Sequence, residues 1–130
     1  MSSLFTKIIA KEIPAYIIAE DDNFISFLDI NPVSLGHCLV VPKAEIDYVF
    51  EIDDDLFSGL FLFAKKIGVA IKQAVPCVKV GITVSGLEVP HAHIHLVPIN
   101  SVADITFDNV KLTVSNEELD KYCTLIKSKL

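Results

Sequence analysis

This 130-residue chain contains no arginine; all eleven of its basic residues are lysines. An anionic ligand would therefore be held without a bidentate guanidinium clamp, by histidine, lysine and backbone N–H groups. The net charge of −6 argues against a broad nucleic-acid surface. The three cysteines, Cys38, Cys77 and Cys123, are far apart and form no Cys-x-x-Cys pair. Neither a disulfide framework nor a thiolate metal site is expected, and all three read as small apolar residues. No run of about 18 apolar residues is present, so no membrane span is expected. Lys7 and Lys11 interrupt the start of the chain before the apolar core of a signal peptide could form, so a cytoplasmic protein is expected. Internal repeats, low-complexity tracts and linkers are lacking too, and one domain over 1–130 is the expected organisation.

What is present is concentrated in Pro90-His91-Ala92-His93-Ile94-His95-Leu96-Val97-Pro98. Three of the four histidines alternate with apolar residues, the period of a strand with one buried face. On such a strand His91, His93 and His95 stand in a row about 6.6 Å apart, and Ala92, Ile94 and Leu96 face the other way. Two imidazolium charges at that spacing repel by roughly 2.5 kcal/mol at an effective dielectric of ~20. Mixed protonation near pH 7 is the expected result, which places a nucleophile or base beside an acid. A metal site is the rival reading, since two histidines at i and i+2 bind zinc when a third ligand arrives from elsewhere.

The remaining pattern predicts the elements around this row. Leu4 to Lys11 has the spacing of a short helix, ended by Ile13-Pro14. Tyr16–Glu20 and Phe24–Leu28 flank Asp21-Asp22-Asn23 as a hairpin. His37–Pro42 reads as a buried third strand and Val78–Val84 as a fourth, joined by Ser85–Glu88 to the histidine strand. Between them Leu56 to about Ala74 forms the long helix, with Phe57, Leu60, Phe61, Ala64, Ile67 and Ile71 as a core-facing stripe. Acidic residues before it suit the helix dipole. Ser115-Asn116-Glu117-Glu118 is a capping box opening a final helix to about Lys127. Hairpin-like succession favours an α+β fold: an antiparallel sheet of about five strands, one long helix, and short N-terminal and C-terminal helices. Exposed strand edges make a symmetric dimer an expected cover.

These residues resemble the histidine triad (HIT) family of nucleotide hydrolases and transferases. The signature, histidines alternating with apolar residues and closed by two of them, is met by His91-Ala92-His93-Ile94-His95-Leu96-Val97. Family-like context includes Lys7-Ile8-Ile9, Glu12-Ile13-Pro14-Ala15, Phe27-Leu28-Asp29-Ile30-Asn31-Pro32 and Gly36-His37-Cys38-Leu39-Val40-Val41-Pro42-Lys43. The resemblance implies a HIT-like fold, in keeping with the homodimer already expected, and a purine nucleotide substrate such as an adenosine phosphoramidate or a dinucleoside polyphosphate. His93 would attack the α-phosphorus and form a nucleotidyl-histidine, with His91 and His95 flanking the phosphate, His95 protonating the leaving group and His37 completing a tetrad. Asp29 would bind the ribose hydroxyls, against the plainer reading of a turn-stabilising side chain; His37 has the plainer reading of a satisfied core histidine. Leu4, Phe5, Ile8, Ile13, Phe27 and Ile30 would hold the base.

Three departures stand out. Where relatives carry two cysteines and a histidine for a structural zinc, this chain has Ser3, Thr6 and Glu45, so no metal or other cofactor is expected. The segment before the signature is short, with Ser85 and Glu88 near the phosphate, and Glu88 brings negative charge towards a negative ligand. The segment beyond Pro98 carries no motif that matches the family's pattern. A nucleotide-binding module with little turnover is the alternative function.

Overall fold

The computed structural model describes residues 2–106 and 111–130. Five strands, β1 (Ile17–Glu20), β2 (Phe24–Leu28), β3 (Cys38–Pro42), β4 (Lys79–Thr83) and β5 (Ile94–Ile99), form one antiparallel sheet in the order β1-β2-β3-β5-β4. Three α-helices accompany it among the described residues: α1 (Leu4–Ile9), α2 (Asp54–Ala74) and α3 (Asn116–Lys127). This is the expected α+β architecture.

Alternation along the central strands divides the core in two. Phe24 and Leu28 of β2, Cys38 and Val40 of β3, and Ile94 and Leu96 of β5 pack with Leu60, Ala64, Ile67 and Ile71 of α2 and with Leu119, Cys123 and Ile126 of α3. The residues between them, Ile25, Phe27, Leu39 and Val41, face the other way and pack with Phe5 and Ile8 of α1. The register Leu39↔His95 and Val40↔Ile94 carries this alternation from β3 into β5.

Local chemistry accounts for the boundaries. Asp53 caps α2 by accepting from the Leu56 N–H at 2.9 Å, and Asp54 and Asp55 fill its first turn, where negative charge meets the positive end of the helix dipole. The Ser115 hydroxyl accepts from the Glu118 N–H at the start of α3. The β1–β2 turn is closed by Asp21, whose Oδ1 accepts from the N–H groups of Asn23 and Phe24. Helix α1 ends at Ile9, before Pro14 could stop it. Lys11 breaks it instead by adopting φ 63°, a left-handed conformation uncommon for a side chain of this length. Its Nζ lies 2.7 Å from Glu20 Oε1.

The histidine strand is shorter than its alternation predicts. β5 begins at Ile94, so His91 and His93 lie in an unpaired approach to the sheet. There the Ala92 N–H bonds to the Ile46 carbonyl at 2.7 Å and the His91 N–H to the Val89 carbonyl at 2.8 Å. No helix among the described residues is long and apolar enough to cross a membrane.

Candidate active site

Helix α1 lies over the second face of the sheet because Phe5 and Ile8, three residues apart, are its buried pair. The Phe5 ring meets Phe27 and His93 edge-on, at centroid distances of 5.6 and 4.8 Å. Beside them opens a cavity of about 290 Å³, at the small end of the range for ligand sites. All six residues expected to form the apolar slot line it: Leu4, Phe5, Ile8, Ile13, Phe27 and Ile30. Asp29, Glu88, His93 and His95 line its polar end, together with Lys111. Ser85 is exposed and is not among the lining residues.

The protons in this site follow from groups whose roles are fixed. His93 Nδ1 lies 2.7 Å from the His91 carbonyl oxygen, which only accepts, so Nδ1 carries the proton and Nε2 keeps its lone pair. His91 Nε2 in turn donates to the Pro42 carbonyl at 2.7 Å, leaving Nδ1 to accept from the Ser3 hydroxyl at 2.8 Å. Both nitrogens of His91 are thereby engaged with protein, and it does not line the cavity. The resemblance has His91 flanking the phosphate; here it lies under the start of α1 and supports His93 through its main chain.

A second relay fixes His95. The Val33 N–H donates to His37 Nδ1 at 3.2 Å, so neutral His37 carries its proton on Nε2 and directs it to His95 Nδ1, 3.0 Å away. His95 therefore carries its own proton on Nε2, the opposite edge of the ring. His37 is buried behind His95, outside the cavity. Asp29 makes the turn contact of its plainer reading, its Oδ1 accepting from the Asn31 N–H at 2.9 Å, and its Oδ2 sits 3.7 Å from His37 Nε2. Burial pushes its carboxyl above the usual range.

Mutual repulsion was expected to set the protonation of the row, but burial is the larger influence. Loss of solvent, reinforced by neighbouring positive charge, holds His37 at about 4 and His95 at about 3. His93 is lowered chiefly by burial as well, against the opposing pull of the His91 carbonyl. These three imidazoles are neutral at pH 7, which corrects the expectation of mixed charge.

Among the described residues, two places bear on metal binding. Asp29, His37 and His95 offer ligand atoms within 4.8 Å of one another. Their hydrogen bonds oppose such use, because a metal on His37 Nε2 would have to expel the proton that the Val33 contact places there. At the positions where no structural zinc is expected because the family's ligands are replaced, Glu45 Oε1 accepts from the Ser3 N–H and the Thr6 hydroxyl, both at 2.6 Å, and the Thr6 N–H bonds to Ser3 Oγ at 3.0 Å. Two hydroxyls and a carboxylate already committed to each other do not fit a structural zinc site of thiolates and imidazoles. These contacts hold Glu45 down at about 2 and tie the start of α1 to His91.

Sequence reasoning missed Lys111. Its Nζ lies 3.5 Å from Glu88 Oε1 across the polar end of the cavity. The only available signal was the lack of arginine, which makes some lysine necessary for an anion without saying which of the eleven.

Comparison with known proteins agrees with this geometry. The HIT domain profile matches residues 10–102. An uncharacterized HIT-like protein of Borreliella burgdorferi is 38% identical over 102 residues, covering 73% of each chain. An adenosine 5'-monophosphoramidase of Saccharomyces cerevisiae is 32% identical over 96 residues, covering 73% of this chain and 61% of the yeast protein. Among solved structures, a HIT-like protein involved in cell-cycle regulation from Bartonella henselae superposes with a TM-score of 0.85 at 27% identity, over 99% of this chain and 97% of the other. With His93 and His95 of its signature lining one cavity and the matched profile spanning most of its length, this chain belongs to the histidine triad (HIT) family.

Proposed function

We propose that this protein is a purine nucleotide phosphoramidase or dinucleoside polyphosphate hydrolase, or a nucleotidyl transferase of the same type, acting through a covalent nucleotidyl-His93. One observation carries the reading: the His91 carbonyl holds the proton of His93 on Nδ1, leaving the Nε2 lone pair of a neutral ring at a cavity that also presents Asp29 and an apolar slot. No separate base is needed to make such a ring nucleophilic.

In the first step His93 Nε2 forms a bond to the α-phosphorus as the bond to the leaving nitrogen or oxygen breaks. The leaving atom takes a proton from His95. An entering phosphate raises the proton affinity of that ring by its negative charge, so the acid forms with the substrate although His95 is neutral beforehand. Water then attacks the same phosphorus, giving a proton back to His95 as the bond from phosphorus to His93 Nε2 breaks, and nucleoside monophosphate and free His93 are released. Asp29 accepts from the ribose hydroxyls, and Phe5, Phe27 and Ile30 hold the base. The proposal includes a symmetric dimer through the sheet edge at β4, where exposed Ile82 and Val69 of α2 line one apolar groove.

The test is trapping. Protein incubated with a nucleoside phosphoramidate radiolabelled at phosphorus and then quenched should retain an acid-labile, base-stable label that His93→Ala abolishes. Active enzyme without that label overturns the covalent mechanism. The second reading, a binding module with little turnover, draws on Glu88 standing at the polar end of the cavity. Tight nucleotide binding with no monophosphate released over hours would establish it.

A further inference from the structure

The cavity has an unusual charge balance for an anion site. Its lining carries two carboxylates, Asp29 and Glu88, and two imidazoles, His93 and His95, with Lys111 as the one cation among the described lining residues. Both imidazoles are neutral at pH 7 by the burial argument above. We propose that Lys111 receives the phosphate chain of the substrate beyond the α-phosphate, with Glu88 as its internal competitor, so that the site favours nucleotides whose leaving group is itself anionic. This deepens the nucleotide reading given above and rests on it.

Lys111 is placed for that role by its own backbone. The next residue, Leu112, donates its N–H to the Pro32 carbonyl at 2.8 Å, which ties this segment to the turn that carries Asp29. Residue 111 lies beyond the region matched by the HIT profile, 10–102, so the contact lies outside the shared signature. The Lys111–Glu88 pair is long, at 3.5 Å, with side-chain exposures of 37% and 62%. Exposed pairs of this kind contribute little stability, and a phosphate oxygen can replace Glu88 at small cost. The charge of Lys111 acts on Asp29, His37 and His95, and that of Glu88 on Asp29 and His93, so the pair is electrostatically coupled to the reacting centre.

Calorimetry with adenosine, adenosine monophosphate and α,β-methylene-ADP tests the assignment on the full chain. Lys111→Met should weaken the methylene-ADP complex about tenfold, weaken the monophosphate less and leave adenosine unchanged. Glu88→Gln should tighten methylene-ADP a few-fold with adenosine again unchanged, and the salt dependence of methylene-ADP binding should be smaller in Lys111→Met than in the parent. Equal affinities for methylene-ADP in parent and Lys111→Met overturn the proposal, and so does an equal loss for adenosine, which marks a structural role. If the parent binds none of the three, the nucleotide reading itself fails and this inference falls with it.

Discussion

The two faces of the sheet are made from the same strands, yet their contents differ in kind. On the helix-covered face, Val40, Ile94 and Leu96 meet Leu60, Ile67 and Ile71 in an apolar layer. On the α1 face the same strands present Phe27, Leu39 and His95, and the polar groups there are linked in two relays, Ser3 to His91 and Val33 to His37 to His95. The first face stabilises through area removed from water, about 25 cal/mol per Å². The second buries imidazoles, each of which costs free energy unless paired. Period-two alternation lets the chain assign these two duties separately, since a substitution at one position touches one face only.

Paired substitutions should separate the faces most sharply. His93→Ala should lower turnover by at least ~10³-fold, the scale of losing a nucleophile, with a modest change in unfolding free energy. Ile71→Ala, at a fully buried position of α2, should cost about 2–5 kcal/mol while the folded fraction keeps its activity per site. Urea titration alongside single-turnover kinetics measures both quantities. A large activity loss in folded Ile71→Ala would show that the faces are not independent.

Acid should attack the α1 face first. His37 is held at about 4 and His95 at about 3, below the ordinary 6.5. Folding thus favours their neutral forms, so their contribution is fully present above pH 6.5 and is lost as the pH falls through that value towards 4. For His37 alone this is on the order of 3 kcal/mol. Unfolding free energy should fall between pH 7 and pH 4.5, and His37→Gln should flatten that slope. An unchanged slope would mean that His37 is not held neutral by its surroundings.

The Ser3 contact gives a smaller effect on the same face. Ser3→Ala leaves His91 Nδ1 without its donor and should cost about 1–2 kcal/mol. Its influence on turnover should be a several-fold fall in kcat with little change in KM, because it loosens the support of His93 and leaves the cavity lining intact. Loss in KM alone would place Ser3 in binding instead.

How far this division was legible depended on whether the signal was local. The strands and α2 are legible because periodicity is a local property, and the apolar slot because its residues matched a known pattern. The neutrality of the histidines was not, since repulsion between neighbours can be read from spacing whereas burial depends on α1 folding across the row. The placement of His91 was hidden for a related reason: alternation continues through it, but the sheet pairing stops at Ile94. Lys11 gave no turn signal because lysine is not a residue of left-handed turns. Lys111 and Glu88 are brought together only by the tertiary fold.

Ser26 sharpens the comparison from the other side. It lies in β2 between Phe24 and Leu28, the register position of the helix-covered face, and its buried Oγ has no hydrogen-bond partner. In an otherwise apolar layer an unpaired hydroxyl is a cost with no chemistry to set against it. Ser26→Ala should therefore leave turnover unchanged and raise unfolding free energy by up to about 1 kcal/mol, read as a higher urea midpoint at constant slope. A loss of stability would show that the hydroxyl is satisfied in solution and that this face carries a polar interaction after all.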